Sequence, residues 1–385
     1  MKTCNKCGLP ETYETLEFDE QGICNICHQH EYKNEKIDWT KRFKALENLV
    51  QKHRGKGSYD CIIPFSGGKD STFTLYYMVE KMGLKPLVIQ FDHGFMRPGL
   101  LENNVRTFRR LGVDVHSFTP NWRVVKRLMR ESFIRKGDFC WHCHTGIFAY
   151  PVRMAVRLQI PFIIWGEPSS EYTAYFNYED DTIEQVDERR FNRFVNLGIT
   201  ADDMEGMIFG DDPLDSRDLE PYTYPTTKEL RALGCESVCL GSFIPWDVKQ
   251  QVGIITRELG WKGDDVEGMP RGLYPYEKIE CYMQGVRDYI KYLKRGYARV
   301  TQMTALDIRN GRMSRAEALK LIEQHEGRKP PSLELFLDYI GMSEDQFHEV
   351  ALSMVVEPHQ PDVDSIACGD CTHDFNCWSR EVGRA

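Results

Sequence analysis

The sequence has 385 residues, of which 41% are hydrophobic, and a formal net charge of −9 at pH 7. This length allows two or three domains with a sizeable core, and the negative charge makes nucleic acid an unexpected partner, because nucleic-acid binding favours a basic surface. The sequence has no run of 18 apolar residues and no secretory signal, so we expect a cytoplasmic protein without a membrane span. In that setting the 13 cysteines predict metal or redox sites rather than disulfides.

The amino-terminal segment carries two pairs of cysteines. Cys4 and Cys7 form one C-x-x-C pair, and Cys24 and Cys27 form the second. This spacing is typical of a four-cysteine zinc ribbon. A segment of about 30 residues cannot build a core alone, so a Zn²⁺ ion is the expected organiser. We therefore predict a zinc-ribbon module over residues 1–36.

A glycine-rich loop follows the first predicted strand. An apolar run over residues 59–65 precedes it, and a helical pattern starts at residue 72. A strand, a glycine-rich loop and a helix aim backbone N–H groups at one point, which suits a bound anion. The lysine adds a positive charge, and the aspartate can hold Mg²⁺ between phosphates. The predicted phosphate-binding residues are Ser66, Gly67, Gly68, Lys69, Asp70 and Ser71.

This loop lacks the Walker A spacing, and it resembles the S-G-G-x-D-S loop of the PP-loop ATP pyrophosphatases. That family cleaves ATP to AMP and pyrophosphate while it adenylates a carbonyl oxygen. A nitrogen or sulfur nucleophile then displaces AMP. The resemblance implies that ATP is the bound nucleotide and that Lys69 and Asp70 take part in catalysis.

Strands and helices alternate on both sides of this loop. Further strands are predicted over residues 86–91, 113–118, 161–165 and 237–241, with helical patterns between them. This alternation is typical of a doubly wound parallel α/β sheet. We assign it to a nucleotide-binding domain over residues 37–262.

Polar residues follow two of these strands. Asp92 comes after the second strand, and Gly166 and Glu167 come after the fourth. Ligands of parallel sheets lie beyond the carboxyl ends of the strands, so these residues are expected to contact the nucleotide. We predict Asp92 on the adenosine side, and Glu167 together with Asp70 on Mg²⁺.

A cluster of thiols and imidazoles lies at a predicted helix start. It consists of Cys140, His142, Cys143 and His144. These side chains could bind a metal, line a substrate site or be buried without a chemical role. A helix N-terminus can also lower a thiol pKa and make the thiol reactive. We predict that the cluster contributes to catalysis.

Charge is distributed unevenly along the chain. The segment 106–136 is basic and could meet phosphates of ATP, of a nucleotide-linked substrate or of RNA, or could form a solvated helix face. A segment over about 172–222 is acidic, aromatic and poorly periodic. We interpret it as an insertion that could cover the site as a lid.

The carboxyl-terminal region, residues 263–385, is predicted to be helical. Helical patterns cover residues 280–295 and 303–322, and the second is interrupted at Gly311. The tail carries Cys368, Cys371 and Cys377 at irregular spacing, and these thiols could form a second metal site or remain unliganded.

Four further stretches extend the resemblance over nearly the whole chain. They resemble the N-acetyl sugar amidotransferase family, which serves bacterial surface-polysaccharide pathways, including lipopolysaccharide and O-antigen, and flagellin-glycan pathways. The stretches are residues 140–148, 163–167, 241–247 and 307–312.

The resemblance implies conversion of an acetamido group into an acetamidino group on a UDP-linked or nonulosonic N-acetyl sugar. It implies ATP, Mg²⁺ and Zn²⁺ as cofactors. Ammonia would come from a separate glutaminase and its barrel partner, both similar to imidazole glycerol phosphate synthase subunits. Cys140, His142, Cys143 and His144 would then border the sugar or the ammonia. Asp307 and Arg309 could bind a substrate phosphate or carboxylate.

An alternative interpretation is a tRNA thiolase of the same PP-loop superfamily. In that case Cys140 and Cys143, with Cys235 or Cys239, would hold an iron–sulfur cluster. The basic segment after residue 106 favours this alternative, whereas the net charge of −9 opposes it.

Overall fold

The computed structural model describes residues 1–168, 191–208 and 213–369. Cys371 and Cys377 lie outside the described residues, as do parts of the predicted acidic insertion. No helix in the described ranges is long and apolar enough to cross a membrane.

A five-stranded sheet forms the centre of the fold. Its order is β3-β2-β1-β4-β5, and every neighbouring pair is parallel. Strand β1 lies between β2 and β4, so the chain turns to opposite sides of the sheet around the end of β1. This confirms the predicted doubly wound sheet. The strands are β1 (Cys61–Pro64), β2 (Pro86–Phe91), β3 (Asp114–Phe118), β4 (Phe162–Trp165) and β5 (Glu236–Cys239).

Helices connect the strands and extend the fold at both ends. Those up to β5 are α1 (Asn25–Glu35), α2 (Trp39–His53), α3 (Lys69–Tyr76), α4 (Pro98–Leu111), α5 (Trp122–Lys136), α6 (Trp141–Leu158), α7 (Ala201–Met207), α8 (Ser216–Leu219) and α9 (Thr227–Leu233). Those after β5 are α10 (Val248–Leu259), α11 (Gln284–Arg295), α12 (Arg299–Arg309), α13 (Arg315–His325), α14 (Ser332–Ile340) and α15 (Glu344–Leu352).

Two hydrophobic cores cover the two faces of the sheet. In β1, Cys61 and Ile63 face one core, and Ile62 faces the other. Successive side chains of a strand point to opposite faces, so a strand buried on both sides reads as a continuous apolar run. This is why the short strands could be located in the sequence without any alternation of polar residues.

The carboxyl-terminal helices form a third core with α5. Phe133 of α5 stacks on Phe347 with ring centroids 5.0 Å apart and meets Phe336 edge-on at 5.9 Å. The predicted helical character of this region is confirmed, with two differences in its boundaries. The first helix begins at Gln284 because Cys281 pairs with Met96 after β2, and the helix before Gly311 begins at Arg299 instead of residue 303.

A capping box explains where the second of these two helices begins. Ser314 accepts a hydrogen bond from the Glu317 N–H, and the Glu317 carboxylate accepts one from the Ser314 N–H. This reciprocal arrangement satisfies two N–H groups that a helix start leaves unpaired. The break between α12 and α13 at Gly311, which has φ of +66°, follows the prediction.

The described parts of the predicted insertion contain the short helices α7 and α8. They pack against α6, where Arg153 donates to Glu220 Oε1 at 2.6 Å and Tyr222 is fully buried. The role of this insertion as a lid stays a prediction.

The amino-terminal cysteines converge as predicted. The Sγ atoms of Cys4, Cys7, Cys24 and Cys27 all lie within 4.8 Å of one another and are buried. The N–H groups of Cys7 and Cys24 also point at Cys4 Sγ, at 3.5 and 3.3 Å. This module packs on the carboxyl-terminal region through Tyr297. The cluster can hold a metal ion, and the donor set fits Zn²⁺, whose identity stays a prediction.

We expect the purified protein to contain one zinc ion per chain. Cys27→Ser should lose the metal and lower the melting temperature, because the module has too few apolar side chains to stay folded without it. Elemental analysis and thermal unfolding measure both effects. Cys235→Ser, a thiol outside the cluster, is the matched control; equal metal content in the two variants would contradict the assignment.

Glu267 connects the segment before α11 to the start of α14. Its carboxyl group accepts hydrogen bonds from the N–H of Ser332 at 3.2 Å and from its hydroxyl at 2.5 Å. Burial raises the pKa of Glu267 to about 7, although the bonds from Ser332 oppose the rise. The folded state therefore holds this proton more tightly than the unfolded chain, where the pKa is near its ordinary value.

The stabilisation from the Glu267 proton should be complete at about pH 4 and lost as the pH rises through about 7. Glu267→Gln cannot ionise, so it should flatten the dependence of melting temperature on pH between about pH 4.5 and 7.5. At pH 8.5 it should be more stable than the wild type by roughly 2 kcal/mol. The exposed Glu349→Gln is the control. A variant that loses stability equally at every pH would refute this.

Candidate active site

The glycine-rich loop lies at the carboxyl end of β1 and leads directly into α3. The N–H groups of Ser66 and Gly67 both donate to Ser71 Oγ, at 3.3 and 3.1 Å, and the Gly68 N–H donates to Ser66 Oγ at 3.3 Å. Three successive N–H groups thus face the two loop hydroxyls. This is the arrangement of a backbone cradle for an anion.

Glycine is required at both loop positions because neighbouring side chains lie close to the backbone there. Gly67 has φ of +87°, and a Cβ there would lie 2.2 Å from Asn104 Oδ1. A Cβ on Gly68 would lie 1.8 Å from Glu280 Oε1. Both side chains therefore lie against the loop, one from α4 and one from the carboxyl-terminal region. No sequence signal identified either residue.

Asn104 has unsatisfied hydrogen-bonding groups at this position. Its side chain is 3% exposed, and neither Oδ1 nor Nδ2 has a hydrogen-bond partner in the described part of the chain. Buried amides are nearly always paired, so an unpaired one beside a phosphate cradle points to a ligand contact. Asn104 therefore joins the candidate nucleotide site.

Lys69 lies in a buried network of charges. Its Nζ lies 2.8 Å from Asp70 Oδ2 and 2.9 Å from Glu277 Oε2. Glu277 also accepts from Arg299 Nη1 at 3.2 Å, so it connects the loop to α12. Burial raises the pKa of Glu277, but Lys69, Arg299 and Lys278 outweigh it and hold the pKa at about 2. Glu277 is therefore ionised, and sequence reasoning missed it.

Asp70 and Glu167 form a carboxylate pair beside this network. Asp70 Oδ1 is buried and has no hydrogen-bond partner in the described residues. Burial and then the Asp70 charge raise the pKa of Glu167 to about 7. Two close carboxylates with an unpaired oxygen fit a divalent cation, which would relieve their repulsion. The residues predicted for Mg²⁺ are thus adjacent, and Gly166 packs against Asp70 with no room for a large side chain.

Asp92 lies at the carboxyl end of β2. Its carboxylate accepts hydrogen bonds from the Gly94 N–H at 2.8 Å and from the Thr119 hydroxyl at 3.2 Å. These bonds order the turn after β2, and the side chain remains partly exposed. Its role on the adenosine side stays a prediction.

The thiol–imidazole cluster opens α6, as predicted, with Cys140 as the N-cap residue. His142 is buried between the carbonyl oxygens of Phe139 and His93, at 3.4 and 3.3 Å. Burial lowers the pKa of His142 to about 4, so it is neutral at pH 7. Burial and then Arg287 lower the pKa of His144 to about 3.

The thiols of this cluster are buried. Burial raises the pKa of Cys140 and Cys143 above the ordinary value, and the charge of Arg287 opposes this rise. Burial thus acts against the lowered thiol pKa that a helix N-terminus favours. The role of this cluster in catalysis stays a prediction.

Cys281 is a third thiol near Cys140 and Cys143. It packs against the core that contains Cys140 and contributes to the raised pKa of both thiols. Burial raises the pKa of Cys281 to about 12. Cys239 belongs to a different core, the sheet-face core that contains Ile62, and Cys235 packs at its edge. In the described residues, the ligand atoms of these thiols are not all within 4.8 Å, unlike those of the amino-terminal cluster.

One cavity of about 290 Å³ brings these parts together. It reaches from the loop to the amino-terminal module, between α11, α12 and the start of α6. Lys278, which has φ of +53°, lines it in a left-handed backbone conformation that non-glycine residues rarely adopt. Lining residues from the glycine-rich loop, β4 and the segments before α6 and α11 are Lys69, Asp70, Asp138, Phe139, Glu167, Glu277 and Lys278.

The two residues of α12 that were predicted to bind substrate, Asp307 and Arg309, have different surroundings. Asp307 is buried and binds Lys249 Nζ at 2.8 Å and the Tyr274 hydroxyl at 3.1 Å, so it joins α12 to α10. Arg309 lines the cavity at the end next to the cysteine cluster. Cys368 is exposed and pairs through its backbone with Lys329. A metal site in the tail stays untested because its other thiols lie outside the described residues.

Parts of the chain are similar to known proteins. Residues 275–360 match the family described as "LPS biosynthesis protein WbpG-like, C-terminal domain". An uncharacterised protein of Methanocaldococcus jannaschii is 28% identical over 168 residues, which is 42% of this chain and 58% of that protein.

Glutamine-hydrolysing GMP synthases also match. The enzyme of Thermus thermophilus is 34% identical over 94 residues, which is 24% of this chain and 18% of the synthase. The enzyme of Pyrobaculum aerophilum is 35% identical over 75 residues, which is 20% of this chain and 15% of the synthase. The chain spans less than two thirds of each of these relatives.

Among solved structures, the U34-tRNA thiolase of Methanococcus maripaludis aligns over 95% of this chain and 93% of its own length. The identity is 13% and the TM-score is 0.32, which carries no argument about fold or function.

The S-G-G-x-D-S loop, its position at the end of the central strand and the sequence match to GMP synthases agree with one another. These three observations support the PP-loop superfamily for the domain that carries the loop.

Proposed function

We propose that the chain is the ATP-dependent subunit of an amidotransferase that converts the N-acetyl group of a sugar into an acetamidino group. One observation carries this proposal. The region that matches the WbpG-like domain places Glu277 2.9 Å from the loop lysine, Lys69, so a glycan-related region and an ATP-binding loop share one cavity.

The chemistry requires activation of a poor electrophile. The acetamido oxygen attacks the α-phosphorus of ATP, the bond to pyrophosphate breaks, and an adenylated imidate forms. Ammonia then adds to the imidate carbon, and AMP leaves with the original oxygen. The product is an amidine. Activation is needed because ammonia cannot expel oxide from an amide.

The loop residues serve the first step. The N–H groups of Ser66, Gly67 and Gly68, with Lys69, stabilise the negative charge that gathers on pyrophosphate. Asp70 and Glu167 would hold Mg²⁺, which would supply positive charge to the phosphates. The cavity must place the acetamido oxygen about 3 Å from the α-phosphorus, in line with pyrophosphate.

The nitrogen source is a partner subunit in this proposal. The GMP synthases that match part of this chain are glutamine-hydrolysing enzymes by name, which supports an ammonia-dependent second step. A separate glutaminase with its barrel partner would deliver ammonia to the cavity beside Asp138 and Cys140. The sugar would be UDP-linked or a nonulosonic acid.

A second candidate is a PP-loop tRNA thiolase. The observation that favours it is the presence of Cys281 beside Cys140 and Cys143, since three thiols can ligate an iron–sulfur cluster. Visible absorption from an iron–sulfur cluster in the purified protein, and sulfur incorporated into tRNA, would support this candidate over the sugar reaction.

The carboxylate pair should be essential for ATP cleavage. Asp70→Asn should lower pyrophosphate release by about 100-fold or more, because it removes a metal ligand and a partner of Lys69. Glu167→Gln should raise the Mg²⁺ concentration needed for half-maximal rate. Pyrophosphate release with ATP, sugar and ammonium salt measures both. Glu102→Gln, an exposed carboxylate, is the control, and unchanged release by Asp70→Asn would exclude the assigned role.

Candidate UDP-linked N-acetyl sugars incubated with the protein, ATP, Mg²⁺ and ammonium salt should lose mass by the small difference between O and NH. AMP should form in equal amount, and mass spectrometry with nucleotide chromatography detects both. Cys140→Ser should reduce amidine formation but keep ATP cleavage if Cys140 borders the acceptor. Cys235→Ser is the matched control. An unchanged sugar, with sulfur gained by tRNA, would reject the proposal.

A further inference from the structure

One face of α12 lines the cavity along most of its length. Arg299, Gln302, Leu306 and Arg309 recur at spacings of three and four, so they share a helix face. Ten residues of helix extend about 15 Å. Arg299 lies at the loop end, bound to Glu277, and Arg309 lies at the end next to the cysteine cluster. This face therefore spans the space between the ATP loop and the amino-terminal module.

Several polar atoms on this side of the cavity lack partners. Arg299 Nε, Gln302 Oε1, Arg309 Nη1 and Asp288 Oδ2 are buried atoms without a hydrogen bond in the described part of the chain. Two are donors and two are acceptors. Buried polar atoms are nearly always satisfied, so four unpaired ones around one cavity indicate a ligand that supplies both donors and acceptors.

The cations of the cavity exceed what its carboxylates neutralise. Glu14 lies 3.6 Å from Lys291 and 3.2 Å from Arg295, while Glu277 and Asp288 bind Arg299. These pairs leave other cations in the lining. These cations are Lys278, Arg287 and Arg309. Asp138 and Asp288 favour the charged form of Arg287, and the thiols of Cys7 and Cys27 favour that of Arg309.

We propose that this part of the cavity is the acceptor subsite, and that it binds an anionic group of the sugar through Arg287 and Arg309 while Gln302 and Asp288 accept hydrogen bonds from hydroxyls. The proposal rests on the amidotransferase function, since it treats the ligand as the acceptor. The anionic group is either the diphosphate of a nucleotide-linked sugar or the carboxylate of a sugar acid; both offer anionic oxygens to guanidinium groups.

The remaining walls suit a sugar ring. Tyr13 stacks on Tyr297 with centroids 5.1 Å apart, and Tyr13 lines the cavity with Leu9, Ile290 and Met303. An apolar wall opposite polar side chains matches the two faces of a sugar. A volume of about 290 Å³ is at the lower end for enclosed ligand sites, so the sugar fits while a nucleoside would project outside.

The subsite also depends on the amino-terminal module. Leu9, Tyr13 and Glu14 come from this module and form the wall opposite α12. Arg295 holds the module in place by donating to the Thr12 carbonyl at 2.5 Å and pairing with Glu14. Three distant parts of the chain thus build one subsite.

Isothermal titration calorimetry without ATP tests this subsite separately from catalysis. The titrants are UDP-N-acetylglucosamine for the diphosphate, N-acetylneuraminate for the carboxylate, and N-acetylglucosamine as the neutral control. The wild type should bind one anionic titrant at least tenfold more tightly than the neutral sugar, and the preferred one identifies the anionic group. Arg287→Gln and Gln302→Leu should each weaken that binding about tenfold or more.

The matched controls are Arg271→Gln and Gln324→Leu, which alter exposed side chains of the same region and should bind like the wild type. Thermal unfolding checks that all four variants fold. Equal affinity for the neutral and anionic titrants, or unchanged binding by Arg287→Gln, would overturn the subsite. Binding that depends on Arg287 with no amidine from any sugar would keep the subsite and refute the amidotransferase function.

Discussion

The buried ion pair between Lys69 and Glu277 connects the two halves of the molecule. Lys69 belongs to the ATP loop, and Glu277 belongs to the region that precedes the carboxyl-terminal helices. Burying either charge alone would be costly, so each depends on the other and on Asp70 and Arg299. Removal of one partner leaves an uncompensated charge. The geometry of the loop is therefore tied to the packing of α12 far away in the sequence.

This network has a consequence for nucleotide binding. Without a phosphate, Lys69 is neutralised by two carboxylates, Asp70 and Glu277. A bound phosphate would add negative charge, and a divalent cation would add positive charge. The cation would then pair with Asp70, and Lys69 would pair with the phosphate. Glu277 would remain paired with Arg299. The site can thus accept its ligands without exposing an unpaired buried charge.

The cavity divides the work between the parts of the chain. In the proposed reaction, the sheet and its loop would provide the phosphate chemistry. The helical region and the cysteine module line the rest of the cavity, where the acceptor would bind. The thiols at the start of α6 are buried, and burial raises their pKa. Cys140 and Cys143 are not among the described residues that line the cavity, and their catalytic role stays a prediction.

The sequence by itself determined the elements whose residues are close together along the chain. The loop, the parallel sheet and the four-cysteine cluster depend on local patterns, and the structure contains each of them. The sequence could not reveal the positions of Glu277, Lys278 or Cys281 beside the site, because long-range packing brings them there. The same packing buries the thiols of α6, and this burial raises their pKa. Only the tertiary structure decided which distant charges share one buried cavity.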